Sequence, residues 1–466
     1  MPGLLAVSSA RGDAPRLVLD ALRFLDPSDG YGLSTGSETH VSRSLDSLES
    51  PRAGSAAVGY GFTKVLRRDG YQPVQDGSHS VVVDGRFRPP PSIPEPYALS
   101  ELIHGKPLKA FREAVSGLRG SYTAVLTDGR SILCYRDPTG SRPLYFAVDT
   151  DLAAFSTLKR PLKAMGLNPK PFPPGGVAEA KGGLIRFERV RRIRPSRPPS
   201  TFGEAVERVA ETLLECFEEC ARDLSGVAVG FSGGLDSSLT AMLLDRLGLD
   251  MMLVSVGVRG SKVFEAAERG AELLGLPYTL VSMEEEEVLE LLKPVTDAVE
   301  VDGLMDLSIA LPLHRAAVES SRMGFRVMAL GQGLDEMFGG YSRHVRTYRS
   351  KGLEGVAVEL LNDLVRSPER NFARDFKACT SAGVELRLPA VDERLLSLSL
   401  SIPPDFKVST DSGRKLVLRK AAEKLGLPAE LARRLKKAIQ YETGFYKVLS
   451  KALGKDAEPC RDRKGS

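Results

Sequence analysis

Val227-Ala228-Val229-Gly230-Phe231-Ser232-Gly233-Gly234-Leu235-Asp236-Ser237-Ser238 is the stretch on which the fold turns. It opens as a short β-branched run, which favours a buried strand. Side chains then nearly vanish at Ser232-Gly233-Gly234. Beyond the turn, Leu239, Met242, Leu243 and Leu247 recur at about 3.6-residue spacing, which predicts a helix with one apolar face. A strand that runs through a small-residue turn into a helix N-terminus makes an anion site. The first-turn N–H groups lack intrahelical partners, and the positive end of the helix dipole points at them. The stretch therefore predicts a cradle for phosphate or pyrophosphate. No Lys follows the glycines, so it is not the Gly-x-x-x-x-Gly-Lys-Ser/Thr loop.

Outward from this turn, the pattern alternates. Upstream, Thr201 and Glu204 have capping-box spacing, and Val206, Val209, Leu213, Phe217 and Cys220 form a helical stripe leading into the strand. Downstream come a buried strand over Met252–Gly257, a helix over Val263–Leu274 and a strand over Tyr278–Val281. Then Val327-Met328-Ala329-Leu330-Gly331-Gln332-Gly333-Leu334-Asp335-Glu336-Met337-Phe338-Gly339-Gly340-Tyr341 repeats the device of a strand running into a Gly-rich loop with carboxylates. Alternating strands and helices predict an α/β fold, a doubly wound parallel sheet with a helical C-terminal part. Ligands sit at the carboxyl ends of such strands. Asp335 and Glu336 stand where a Mg²⁺ counter-ion would be held, with Asp236 opposite.

Residues 1–185 read as mostly strand, an α+β sandwich. Val81-Val82-Val83 with Asp84-Gly85 reads as strand and turn. Tyr122–Thr127, Asp128-Gly129 and Ser131–Tyr135 read as a hairpin. Residues 186–200 are rich in Arg and Pro and read as a linker. Residues 201–450 form the α/β domain, and 451–466 a basic tail. The five cysteines, at 134, 216, 220, 379 and 460, lack framework spacing, which predicts reduced thiols and a cytoplasmic protein. No apolar run reaches membrane-span length. Net charge is +4 but uneven: residues 411–466 carry 15 Lys and Arg against 7 Asp and Glu. Aromatic residues do not interleave there, which disfavours a nucleic-acid partner and favours a phosphate ligand. Residues 345–380 and the segment after Lys451 show no functional pattern.

The strand–Ser-Gly-Gly-x-Asp-Ser–helix run resembles the pyrophosphate loop of ATP pyrophosphatases. With Gly-x-Gly-x-Asp-Glu-x-Phe-Gly-Gly-Tyr at 331–341, the resemblance narrows to the asparagine synthetase family. Asp306–Pro312, Gly383–Asp392, Lys415–Arg419 and Arg434–Tyr441 are similar to further segments of that family. Arg136–Phe146 and Ala154–Lys159 are similar to segments of class II glutamine amidotransferase domains, which are two-sheet sandwiches with helices outside. That domain requires a Cys after the initiator Met, where thiol and α-amine act together. Here position 2 is Pro2, so the domain is expected to keep the fold without hydrolysing glutamine. A different start hiding a Cys is the alternative.

The resemblance implies a ligase. Aspartate's side-chain carboxylate would attack the α-phosphorus of ATP, and ammonia would displace AMP to give asparagine. Phe231, Ser232, Gly233, Gly234, Asp236, Ser237, Val256, Leu330 and Gly331 would bind the nucleotide. Asp236 and Asp335 would hold Mg²⁺. Lys436, Gln332 and Glu336 would be catalytic, with Lys436 steadying charge at the α-phosphorus. Bacterial members carry an acid at the place of Gln332, and an amide cannot take a proton from ammonia. The base or the substrate identity is thereby left open. Alternatives are a β-lactam synthetase-like enzyme acting on another carboxylate, a non-catalytic nucleotide-binding regulator, or a nucleic-acid-modifying relative. The assembly state is open, with a homodimer among the options.

Overall fold

The computed structural model describes residues 2–51, 53–411, 413–434 and 442–454. The chain divides into two compact units, Met1–Arg194 and Pro195–Ser466.

In unit 1 the described residues form two antiparallel sheets of seven and six strands. Alternation along each strand gives every sheet two apolar faces. Leu4, Val58 and Phe155 of one sheet pack against Val82, Val125 and Cys134 of the other. The outer face of the second sheet, including Val83, Tyr122 and Leu126, is covered by Leu99, Ile103, Phe111 and Val115 from the helices Glu95–Ile103 and Pro107–Gly117. The helix Ala14–Leu22 lies on the other sheet. The unit is thus the expected sandwich with helices outside.

Three local expectations meet different outcomes. The hairpin forms, with Gly120–Thr127 pairing Ile132–Arg136. The turn at Asp84-Gly85 does not: the strand runs unbroken over His79–Phe87. Gly85 instead faces Tyr122, and a Cβ there would lie 2.1 Å from Ser121 O, so the glycine permits close strand approach. Residues 184–189, part of them expected in a linker, form an edge strand paired with Gly176–Lys181. Phe187 holds that strand down, its ring 4.9 Å from Phe146 and 5.4 Å from Phe172. The Arg136–Phe146 run is a structural clasp. The buried Arg136 guanidinium donates to the carbonyls of Gly140, Arg142 and Phe172 at 2.8–2.9 Å.

In unit 2 the strands Tyr278–Met283, Asp250–Val258, Gly226–Gly230, Val327–Ala329 and Glu385–Arg387 lie side by side in that order, all parallel. Read by chain order this is 3-2-1-4-5, so the direction of winding reverses between the Gly226 and Val327 strands. A crevice forms at such a reversal. The turn at Ser232 and the loop at 331–341 are the two segments that leave its walls.

The helix Phe202–Ala221 starts where predicted. Thr201 Oγ accepts from Glu204 N at 3.1 Å, while the Glu204 carboxylate turns to Ser200 N. The helix after the phosphate turn spans Leu235–Asp245 and ends before Leu247, which is 37% exposed. Leu244 takes its place in the core.

Lys407 follows a tight turn over Pro404–Phe406 and is buried, its ammonium donating to Ser399 O at 2.5 Å. Burial lowers its pKa to about 7. Below that value the folded and unfolded states are both protonated, and the folded state bears the full cost of a buried charge. As pH rises through 7 the folded state loses its proton while the unfolded chain keeps it, so stability rises toward the ordinary lysine range. Lys407→Met should therefore stabilise at pH 6 by an amount on the order of 4 kcal/mol. The gain should shrink steadily by pH 10. Denaturant unfolding at the two pH values checks this; an equal effect at both would refute it.

Candidate active site

A cavity of about 910 Å³ opens at the carboxyl ends of the parallel strands. Phe231, Ser232, Gly234, Asp236, Ser237, Val256, Leu330, Gly331, Gln332, Asp335 and Glu336 all line it. They come from three separated segments, brought together because strands 1, 2 and 4 of the sheet are neighbours. Lys436 lies outside the described residues.

The phosphate turn is tied to itself. Ser237 Oγ accepts from Ser232 N and contacts Ser232 Oγ, both at 3.2 Å, and donates to Gly234 O at 3.2 Å. Gly233 does not join the cavity lining. Its φ of +65° is left-handed, and a Cβ would lie 1.9 Å from Ala266 O. It seats the turn against the helix Val263–Leu274. Arg434 then clamps that junction, donating to Gly233 O at 3.1 Å and Ala266 O at 3.2 Å.

Lys415 is the group that binds the two carbonyl-edge loops together. Its ammonium sits 2.5 Å from both oxygens of Asp236 and 2.6 Å from Asp335 Oδ1. The Asp335 contact is close enough for an ion pair but off-line for a hydrogen bond. Lys415 is 2% exposed and its backbone is left-handed, φ +58°. A non-glycine residue held there by its surroundings is a mark of a constrained site. Burial pulls its pKa down, and the Asp236 carboxylate pulls it back up. Gly340 makes room for the cluster: a Cβ on it would lie 1.7 Å from Asp335 Oδ1 and 2.4 Å from Lys415 Cε.

Arg414 and Arg419 lie beside this cluster and donate to backbone carbonyls, Arg414 to Gly340 O at 2.9 Å and Arg419 to Ala432 O at 2.6 Å. Burial lowers both pKa values, Asp236 opposing it for Arg419. The cavity floor around Ser232 is therefore cationic, which suits a polyphosphate.

Glu336 is buried behind Asp335. Its Oε1 accepts from Tyr341 Oη at 2.5 Å and from Asn371 Nδ2 at 2.7 Å, while Oε2 has no hydrogen-bond partner among the described residues. Burial raises its pKa, the Tyr341 bond partly opposing this. Gln332 lines the cavity one loop residue from Gly331.

Among the described residues, no three His, Cys, Asp or Glu side chains cluster as a metal site. Asp236 and Asp335 nonetheless converge on one cation position, now held by Lys415. Mg²⁺ commonly takes one or two carboxylates and fills its remaining positions with phosphate oxygens and water. The donor set therefore fits a Mg²⁺ that arrives with a nucleotide.

The sequence reading passed over a further part of the lining. Asp363, Arg366, Arg370, Asn371, Arg374 and Asp375 line the cavity from a segment in which no pattern was seen. The available signal was the spacing of Arg366, Arg370 and Arg374, four apart and so on one helical face.

Comparison with known proteins bears on this architecture. The family description Asparagine synthase matches residues 208–378 and 349–458. A Methanocaldococcus jannaschii protein, named as a glutamine-hydrolyzing asparagine synthetase, is 33% identical over 286 residues, covering 55% of this chain and 52% of that one. The glutamine-hydrolyzing asparagine synthetase of Sandersonia aurantiaca is 27% identical over 360 residues, 70% of this chain and 65% of that one. Asparagine synthetase domain-containing protein 1 of Mus musculus is 38% identical over 148 residues, 31% of this chain and 23% of that one. The chain thus spans between about a quarter and two-thirds of the length of these relatives. A solved B. subtilis glutamine phosphoribosylpyrophosphate amidotransferase overlaps at a TM-score of 0.34 and 17% identity, over 60% of this chain and 65% of that one, a likeness too weak to bear on the site. The matched family segments take in the phosphate turn, the 331–341 loop and Lys415 alike, and on that ground the chain belongs to the asparagine synthase family.

Proposed function

We propose that the protein is an ATP-dependent amide synthetase of the asparagine synthetase type. It would adenylate the side-chain carboxylate of aspartate and pass the acyl group to ammonia, releasing AMP and pyrophosphate. The observation that carries this reading is the meeting of the Ser232–Ser237 turn with the Asp236–Lys415–Asp335 cluster on one cavity.

In this reading the turn and the N-terminus of the helix Leu235–Asp245 grip the leaving pyrophosphate. Asp236 and Asp335 would hold Mg²⁺, which when bound neutralises charge on the leaving group. Lys415 keeps the two carboxylates aligned and supplies a cation beside the phosphates. Arg414, Arg419 and Arg434 add positive charge along the same floor. Phe231, Val256, Leu330 and Gly331 frame the nucleotide. Lys436, assigned by the family resemblance alone, would steady the charge that gathers at the α-phosphorus. Glu336, pushed up in pKa and joined to Tyr341, is the carboxyl group beside Gln332 that could move a proton.

ATP–pyrophosphate exchange with aspartate tests the reading: aspartate-dependent exchange supports it, and no exchange with aspartate refutes that substrate. Exchange with another carboxylate alone would move the assignment to a relative of the β-lactam synthetase kind. Lys436→Ala should slow exchange about 100-fold, for a lost transition-state contact of roughly 3 kcal/mol. An unchanged rate would remove Lys436 from the mechanism.

Unit 1 is proposed to be silent as a glutaminase. Pro2 offers no thiol, and Cys134 is buried in the Ile132–Arg136 strand, where burial drives its pKa far above the ordinary thiol range. Thiolate is the reacting form, so Cys134 cannot substitute. Incubation with glutamine should yield no glutamate above background; steady release would overturn this.

A further inference from the structure

Three charged groups away from the phosphate turn meet on the lining of the same cavity. Arg374 and Asp375 lie in the helix Ala373–Thr380, and Asp306 lies in the first turn of the helix Leu304–Arg322 packed against it. The Arg374 guanidinium bridges the two carboxylates. Nη1 donates to Asp306 Oδ1 at 3.0 Å, Nε donates to Asp375 Oδ1 at 2.9 Å, and Nη2 stands 2.8 Å from that same oxygen. All three residues line the cavity. Their convergence is therefore fixed by direct contact. The next charges along the helix balance each other: Lys377 pairs with Glu300 at 2.6 Å, and both are buried. Arg366 and Arg370 also line the cavity, and among the described residues neither pairs with Asp306 or Asp375.

Two carboxylates against one guanidinium leave one negative charge unmatched. Asp375 shows where part of it lies. The residue is 2% exposed, and both of its contacts with Arg374 fall on Oδ1. Its Oδ2 accepts no hydrogen bond among the described residues. A buried carboxylate oxygen left without a donor is costly, so a cation that reaches it from the cavity is bound strongly. Asp306 is the more open partner, its side chain 23% exposed. It is also the charged end of an apolar strip, because Met305, Ile309, Pro312, Leu313 and Ala316 of the same helix line the cavity. That helix thus offers an incoming ligand a single charged anchor.

We infer that Asp306 and Asp375, held in place by Arg374, form the subsite for the α-ammonium group of the aspartate substrate. The inference rests on the aspartate-adenylating reading and deepens it. The class of ligand follows from the charge and the donors. A monocation matches the one unmatched negative charge, and an ammonium brings three N–H donors to carboxylate oxygens. A divalent ion would be repelled by the guanidinium already seated between the carboxylates, and would find too few oxygens free of it. The subsite also supplies what the reaction needs. Aspartate carries two carboxylates, and only the side-chain one is to be activated. The ammonium sits on Cα, next to the α-carboxylate, so anchoring it distinguishes the two ends of the molecule. A cavity of about 910 Å³ has room for this anchor beside a nucleotide.

The test is calorimetric titration of L-aspartate, and separately of succinate, into the full chain saturated with Mg²⁺ and AMP-PNP in ammonium-free buffer. Succinate keeps both carboxylates of aspartate and lacks only the ammonium. Aspartate should bind at least tenfold more tightly than succinate. In D306N that preference should fall to about twofold or less. Asp306 is part-exposed and its amide can still accept from Arg374, so a native thermal transition is expected. D375N, changed at the buried partner, should lose the preference as well. Equal binding of aspartate and succinate by the native chain overturns the subsite, as does absent aspartate binding. A native preference retained in both variants overturns it too. So does a variant with native aspartate binding that requires more ammonium for amide formation, because the carboxylates would then serve the nitrogen donor. Absence of aspartate-dependent pyrophosphate exchange, with a binding preference that D306N removes, would overturn the ligase reading and leave the subsite standing. Exchange that succinate supports as well as aspartate would do the reverse.

Discussion

Lys415→Met should abolish pyrophosphate exchange and destabilise unit 2 by about 3–5 kcal/mol, the usual cost of stripping one partner from a buried ion cluster. The ammonium is 2% exposed and touches both oxygens of Asp236 and one of Asp335. Without it two carboxylates face each other in a poorly solvated space with no cation between them. The structure makes a sharper expectation as well. The vacated position is ringed by hard oxygen donors, so millimolar Mg²⁺ should raise the unfolding midpoint of Lys415→Met more than that of the native chain. Thermal unfolding with and without Mg²⁺ measures this. A variant that keeps native stability and exchange would show that Lys415 is a bystander, and a Mg²⁺ response no greater than native would show that the two aspartates do not form a cation position.

Gly340→Ala should lower exchange by about 100-fold, the scale on which a displacement near 1 Å in a positioned site is felt. The added methyl would enter the space of Asp335 Oδ1, 1.7 Å away, and Lys415 Cε, 2.4 Å away. Neither can retreat freely. Asp335 is held by the short helix Leu334–Phe338, whose end is closed by Gly340 N donating to Asp335 O at 2.8 Å. Lys415 is held by its backbone, with Arg419 N donating to its carbonyl at 2.8 Å. The stability cost should be smaller, about 1–3 kcal/mol, as for other overpacked positions. Steady-state exchange beside a denaturant midpoint separates the two effects. Native exchange in Gly340→Ala would mean that the cluster shifts without consequence.

The two substitutions probe the same three-residue cluster from opposite sides. Loss of activity in both, with stability lost mainly in Lys415→Met, is the signature of a charge balance that is also a positioning device. A loss confined to Lys415→Met would leave the charge and remove the positioning.

Local sequence determined the parts of this protein whose physics is local. The β-branched run at 227–229, the vanishing side chains at 232–234 and the apolar helical spacing after them specify strand, turn and helix over a dozen residues, because backbone sterics and side-chain period act at that range. The same is true of Thr201 as a cap and of the hairpin at 120–136. The strand alternation that produced the doubly wound sheet is likewise a sum of local choices. Where a residue's role depended on what lay across from it, the sequence was mute. Gly85 read as a turn until Ser121 was found opposite. Lys415 read as one cation in a basic block, and only the tertiary fold brought it to Asp236, 179 residues away in the chain. Arg366, Arg370 and Arg374 lay in a stretch that showed no pattern until the fold set them on the lining of the same cavity as the phosphate turn. Charges act through space and over short distances, and a buried cation is chosen by the carboxylates it meets. The chain's order does not encode that meeting directly; packing does.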